Sequence, residues 1–178
     1  MQLKFLLAIV LISLFPQTGS AGPFGFIGRD YRLENNSSGN GKVSREAWLG
    51  GLGINYEYLG LSADLKYYSF ESNTSYLIVK TDHYEGLFWA RYSPFKLLTW
   101  FPFAELGVGL QQSVVETQFI GQINKSYGVL YGVFGGGLGI WNQVFRGVSV
   151  GIHLRMLWRP KVSPQESYDF IGVAGYQF

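Results

Sequence analysis

Residues Tyr168 to Phe178 read Y-D-F-I-G-V-A-G-Y-Q-F. Along an extended strand the side chains alternate between two faces. Tyr168, Phe170, Gly172, Ala174, Tyr176 and Phe178 therefore share one face, and Asp169, Ile171, Val173, Gly175 and Gln177 share the other. The first face is bounded by aromatic rings and runs to the last residue, with no polar tail. Two readings are open at this point: a soluble edge strand, or a strand whose outer face meets lipid.

Composition separates them. The 178 residues include 24 Gly and 17% aromatics but only 15% charged residues, at a mean hydropathy of +0.10. Soluble domains carry about 25% charged residues. A chain poor in charge and rich in Gly and aromatics, yet not hydrophobic overall, suits alternating strands in a bilayer. The net charge of +2 is too small to point to nucleic acid. There is no cysteine, which excludes disulfides, thiolate metal sites, cysteine nucleophiles and a lipidated N-terminal cysteine.

Residues 1–21 have the pattern of a secretory leader. Lys4 precedes the apolar run Phe5 to Phe15, then come Pro16 and the small residues Gly19, Ser20 and Ala21, with cleavage expected after Ala21. The run is too short to cross a bilayer as a helix, which takes about 20 residues. The mature domain is then 22–178, with no further run long enough, so any crossing is made by strands.

Transmembrane strands take about 9–11 residues, apolar outside and polar inside, with short periplasmic turns and longer outer loops. The chain divides into eight such segments: about 24–33, 46–56, 61–70, 82–92, 101–113, 127–140, 147–158 and 168–178. Gly147 to Trp158 is well patterned, with Val148, Val150, Ile152, Leu154, Met156 and Trp158 opposite Ser149, Gly151, His153 and Arg155. The first segment is the least clean. Long loops are expected at 35–44, 71–81, 114–125 and 160–166. Two aromatic girdles result: Tyr56, Tyr58, Tyr92, Trp100, Trp141, Tyr176 and Phe178 at the periplasmic side, and Trp48, Tyr67, Tyr84, Trp158 and Tyr168 at the outer side. Rings at both interfaces are expected of a barrel in a bilayer.

With this alternation, loop asymmetry and aromatic end, the mature chain resembles the small eight-stranded outer-membrane β-barrels of Gram-negative bacteria, of the OmpA transmembrane-domain and OmpX type. The resemblance is one of pattern, not of a diagnostic motif. It implies an all-β, up-and-down antiparallel transmembrane barrel in the outer membrane and a monomer. It also implies contact with outer-membrane lipids and lipopolysaccharide. Phe170, Tyr176 and Phe178 would serve as the insertion signal read by the barrel-assembly machinery. No peptidoglycan-binding domain follows Phe178, so the anchoring role of full-length OmpA-type proteins does not carry over.

Alternation sends Asp64, Lys66, Glu85, Arg91, Glu105, His153 and Arg155 inward. An eight-stranded barrel has room for side chains and little else. Buried charges must be paired, so these residues are expected to form an ion-pair network, with Gly51, Gly53, Gly107, Gly109, Gly135, Gly137 and Gly139 making room for long side chains opposite. The expected role is structural or surface-interactional, and a narrow ion-conducting pore is the first alternative.

The second alternative is a lipid A-modifying enzyme, a hydrolase or acyltransferase. Its base would be His83 at the outer rim, near Ser69, Ser72 and Ser75. Ser149 shares a face with His153 but lies about 13 Å away at strand rise, beyond hydrogen-bond reach. No catalytic, metal or cofactor site is assigned: two distant histidines do not make a metal centre, and the glycine run 132–139 lacks the Lys-Ser/Thr of a phosphate loop. Lys42, Lys80, Lys125 and Lys161, in or beside the outer loops, are candidates for receptor, phage or lipopolysaccharide contact.

Overall fold

The computed structural model describes residues 22–35, 42–56, 58–73, 77–94, 100–119, 122–145, 147–160 and 165–178. The expected leader, Lys161 and Ser75, and the side chains of Lys42 and Ser72, lie outside the described residues. No helix among the described residues is long and apolar enough to cross a membrane.

The described chain is antiparallel sheet: β1 (Gly22–Asn35), β2 (Lys42–Tyr56), β3 (Leu59–Asn73), β4 (Leu77–Tyr92), β5 (Trp100–Phe119), β6 (Gln122–Tyr127), β7 (Tyr131–Phe145), β8 (Val148–Trp158) and β9 (Glu166–Gln177). Each strand pairs with the next along the barrel wall, and β1 pairs with β9, so the sheet closes on itself. Eight strands make that closed wall. β6 stands above it, paired to the outer half of β5. Closure is secured at the chain end, where Gln177 lies opposite Phe24 and the Phe178 amide donates to the Pro23 carbonyl at 3.0 Å.

The register fixes the shape. A line of paired residues from Phe24 passes through Gly53, Ser62, Trp89, Gly107, Gly135, Leu157 and Ser167 and returns to β1 at Glu34, ten residues further on. A stagger of ten over eight strands tilts them by about 40° at ordinary strand rise and spacing. The short turn from β7 to β8 is made by Gly147 in the left-handed region, φ 74°.

The outer surface is apolar across its middle. Leu65 is 74% exposed, Leu106 72% and Phe88 68%, positions that would be costly in water and are natural against lipid. Trp48, Tyr67, Tyr84, Trp158 and Tyr168 mark one rim, and Tyr56, Tyr58, Tyr92, Trp100 and Phe178 the other, all exposed. Trp141 is a correction: it belongs to β7, not to a turn, and points into the lumen, its ring meeting His153 edge-on.

The expected loops differ too. Residues 71–81 and 114–125 are largely strand: β3 and β4 pair up to Asn73 opposite Ile78, and β4 and β5 up to Leu77 opposite Phe119. Above the rim most side chains are half-buried or exposed on both faces, Thr81 excepted, so the period-two apolar signal disappears while β-branched residues such as Val114, Val115 and Thr117 still favour strand.

Glycines on the inner wall admit large rings. Trp89 lies across β5 and β7, and a Cβ on Gly107 would sit 2.5 Å from its ring. Phe24 lies equally close to Gly53. Gly136 instead faces outward, 3.4 Å from Leu106. Gly107→Val is therefore expected to destabilise the barrel by about 1–3 kcal/mol through overpacking, and Gly136→Val to be neutral or mildly stabilising. Urea unfolding in lipid vesicles, followed by tryptophan fluorescence, checks the contrast.

Candidate functional site in the barrel lumen

Inward positions of the closed wall bring the charged residues into two groups. The outer group is built on β1, β3, β4, β8 and β9 and their outer ends. Arg32 binds Asp169 through two nitrogens, Nε to Oδ1 at 2.9 Å and Nη2 to Oδ2 at 3.0 Å, and reaches Glu85 at 2.9 Å. Lys66 lies between three carboxylates: Asp30 at 2.7 Å, Glu85 at 3.4 Å, and Asp169 in direct contact. Arg159 donates to Glu85 at 2.8 Å, to Gln111 at 2.6 Å and to Ser167 at 2.8 Å. The Tyr68 hydroxyl accepts from Arg32 at 3.0 Å and from Gln111 at 3.2 Å. Arg32, Lys66 and Arg159 thus face Asp30, Glu85 and Asp169, three cations to three carboxylates.

The inner group lies nearer the end of the barrel where β1 begins and β9 ends. Arg155 Nε donates to Glu105 at 2.7 Å and its Nη1 to Asp64 at 2.8 Å, while its guanidinium lies 3.9 Å from the centre of the Trp89 ring. His153 Nδ1 approaches Glu105 at 3.2 Å, and Arg91 reaches Glu105 at 3.5 Å. Arg91 is held over Phe103 at 4.4 Å, with Phe24 and Trp141 each at 5.8 Å. These three rings with Phe26, Leu49, Ile171 and Val173 form the apolar floor of the barrel. A second apolar cluster, Leu87, Trp89, Val133 and Leu157, fills the β4–β7–β8 side.

Every residue expected in the network points inward: Asp64, Arg91, Glu105, His153 and Arg155 meet in the inner group, Lys66 and Glu85 in the outer. Sequence reasoning left out Asp30, Arg32, Arg159 and Asp169, all of them buried. The signal was available: Arg159 has the parity of His153 and Arg155, and Asp169 that of Val173. Asp30 and Arg32 share a face, but Arg29 and Tyr31 between them blur the alternation of β1.

His83 stands at the outer mouth, stacked on Tyr68 at 4.5 Å and beside Phe70 at 5.5 Å. Its Nδ1 lies 3.2 Å from Ser113 Oγ and 3.3 Å from Gln111 Nε2. Ser113, across the β4–β5 ladder, is thus the hydroxyl in reach; Ser69 is paired opposite Asp82. Among the described residues no carboxylate hydrogen-bonds His83 Nε2, and none of their acidic and histidine side chains group to hold a metal ion. Phe170 and Phe178 face outward, and the Tyr176 and Phe178 rings meet edge-on at 5.3 Å.

A buried carboxylate that serves two cations cannot be neutralised cheaply. Asp169→Asn is expected to cost about 3–5 kcal/mol, because Arg32 and Lys66 each lose one of their carboxylate partners in a buried site. Asp169→Leu with Lys66→Met, which removes both signs, should lose much less. Equilibrium urea unfolding of the two variants in vesicles is the measurement.

No protein-family model matches the chain, and no curated protein matches it in sequence. Solved structures do match in fold. Neisserial surface protein A (NspA) superposes with a TM-score of 0.72 at 15% identity, covering 89% of this chain and 99% of that one. Ail, the attachment invasion locus protein of Yersinia pestis, solved with the heparin analogue sucrose octasulfate, gives 0.63 at 11% identity, with the same coverage of both chains. The N-terminal β-barrel domain of Pseudomonas aeruginosa OprF gives 0.53 at 10% identity, over 88% of this chain and 98% of that domain. These chains are matched almost end to end by the same closed wall, and the chain has the fold of the small eight-stranded outer-membrane β-barrels.

Proposed function

We propose that the protein is a surface-interaction barrel: a plugged outer-membrane anchor that carries a rigid sheet to the outside, and not a channel or an enzyme. The observation that carries this reading is the height of the β3–β6 wall. The β4–β5 ladder continues from Tyr84 opposite Gln112, at the outer aromatic rim, to Leu77 opposite Phe119, and β6 adds a further strand exposed at every residue. Backbone pairing holds this wall in shape, so its side chains are presented with little entropy left to lose on binding. Lys125 and Glu116 at 2.9 Å tie β6 to β5, and Lys80 and Asp82 pair along β4 at 3.3 Å. Support comes also from fold neighbours described as a surface protein and as an attachment and invasion protein.

Val114 faces Tyr127 across the β5–β6 ladder. An Asn-Gly turn in place of 115–126 would close a shorter hairpin at that pair. Cells displaying the protein are expected to adhere to epithelial monolayers, and the shortened variant to lose adherence while keeping heat-modifiable gel migration. Equal adherence by both, or by neither, refutes the reading.

The lumen is read as a plug. Its two charge groups are each close to neutral, and the aromatic floor around Arg91 stands across the periplasmic exit. Planar bilayers containing the protein should show no steady conductance, and Arg91→Ala with Trp141→Ala should produce one.

A further inference from the structure

An ion pair interrupts the apolar outer wall. On β1 the lipid-facing residues are Ile27, Arg29, Tyr31 and Leu33; Arg29 is 46% exposed on its side chain and Glu46 of β2 49%. Arg29 Nη2 donates to Glu46 Oε2. Arg29 lies opposite Trp48 and Gly172, and Gly172 falls between Tyr168 and Phe178, the rim rings of β9. The arginine therefore springs from within the apolar band and reaches toward the outer rim. Its guanidinium is 5.3 Å from the centre of the Trp48 ring and 6.0 Å from that of Tyr31.

Charge on a lipid-facing strand is disfavoured, and where it stands it marks a contact. The bond between Arg29 and Glu46 uses one guanidinium nitrogen and one carboxylate oxygen. A guanidinium carries several further N–H donors and a carboxylate a second oxygen, so both groups keep capacity for another partner. Around the pair the wall has relief. Ile27 stands out, 49% exposed, between Gly50 on β2 and Ala174 on β9. A Cβ on Gly172 would meet nothing within 4 Å. Either side of the Ile27 ridge is thus low enough to take a side chain from a facing wall.

We propose that this face is the interface of a homodimer within the membrane. A two-fold axis along the membrane normal keeps both copies the same way up and sets the same patch against itself. Arg29 of each copy then meets Glu46 of the other at one depth, and the two pairs close into a ring of four alternating charges. Beneath the ring each copy's Ile27 seats beside the other's, over glycine and alanine, where small residues let two walls approach. A lipid phosphate would satisfy Arg29 and be repelled by Glu46, whereas a second copy satisfies both. The family pattern implies a monomer, and this ion pair is the departure from it. The interface rests on the outer-membrane placement of the barrel, and it is separate from the protruding wall and from the lumen.

The chain has no cysteine, so a single introduced cysteine reports a single position. Ile27→Cys probes the proposed face, and Leu106→Cys, 72% exposed on the opposite side of the closed wall, is the control. Each full-length variant is oxidised in outer membranes and read by gel migration without reductant. Ile27→Cys is expected to give a disulfide-linked dimer and Leu106→Cys a monomer. Adding Arg29→Leu, which suits a lipid-facing strand and should keep heat-modifiable migration, is expected to lower the yield of Ile27→Cys dimer about tenfold, the scale of one charge-assisted hydrogen bond. In the same background Arg29→Glu and Glu46→Arg should each abolish the dimer alone and restore it when co-expressed, because every contact between the two copies is then of opposite sign. A monomer from Ile27→Cys, which a wall covered by lipid alone would give, overturns the interface. So does equal cross-linking through Leu106→Cys, or a yield that Arg29→Leu leaves unchanged. Failure of the wild-type protein to insert into outer membranes would instead refute the placement, which fractionation of cells reads separately.

Discussion

The pairing of β9 with β1 is the constraint on which the rest depends. In hydrocarbon an unpaired strand edge has no water to satisfy its N–H and C=O groups, and each such group costs several kcal/mol. A sheet in a bilayer therefore closes or is not there. Here the closing ladder runs from Phe24 opposite Gln177 to Glu34 opposite Ser167. The stagger of ten that it imposes sets the tilt, the tilt sets the bore, and the bore decides what the inward side chains can be.

That bore explains the character of the interior. An eight-stranded wall leaves an interior that side chains fill: Trp89 lies over Gly107 on the neighbouring strand, and Arg155 reaches the carboxylates of Asp64 and Glu105. Charged groups kept there are tolerable because opposite signs are close to equal in number. Replacing such pairs by apolar residues is often neutral or stabilising, so their contribution is to hold the interior in a single arrangement more than to add stability.

The barrel was legible because a bilayer makes the outward face apolar at every second residue, and β7, β8 and β9 obey that rule strictly. The inward charges on β3, β4, β5 and β8 could be assigned by the same parity. Two kinds of feature were not legible. Above the rim, both sheet faces meet water, so residues 114–119 carry no alternation and look like loop although they are strand. On β1 the charge of Arg29 on the lipid side hid the inward pair Asp30 and Arg32. The Ser113–His83 contact was also out of reach, because it depends on which residues of β4 and β5 lie opposite one another, and the register of such a hairpin is fixed by its connection and not by residue type.

The outer charge group has a consequence for assembly. Its central carboxylate, Asp169, stands 137 residues from Arg32 and 103 from Lys66 along the chain. Contacts of such separation cannot form until nearly all the chain has been made and positioned. The strand that removes the last sheet edge also supplies Asp169 to Arg32 and Lys66, so one pairing completes both the wall and the outer charge group.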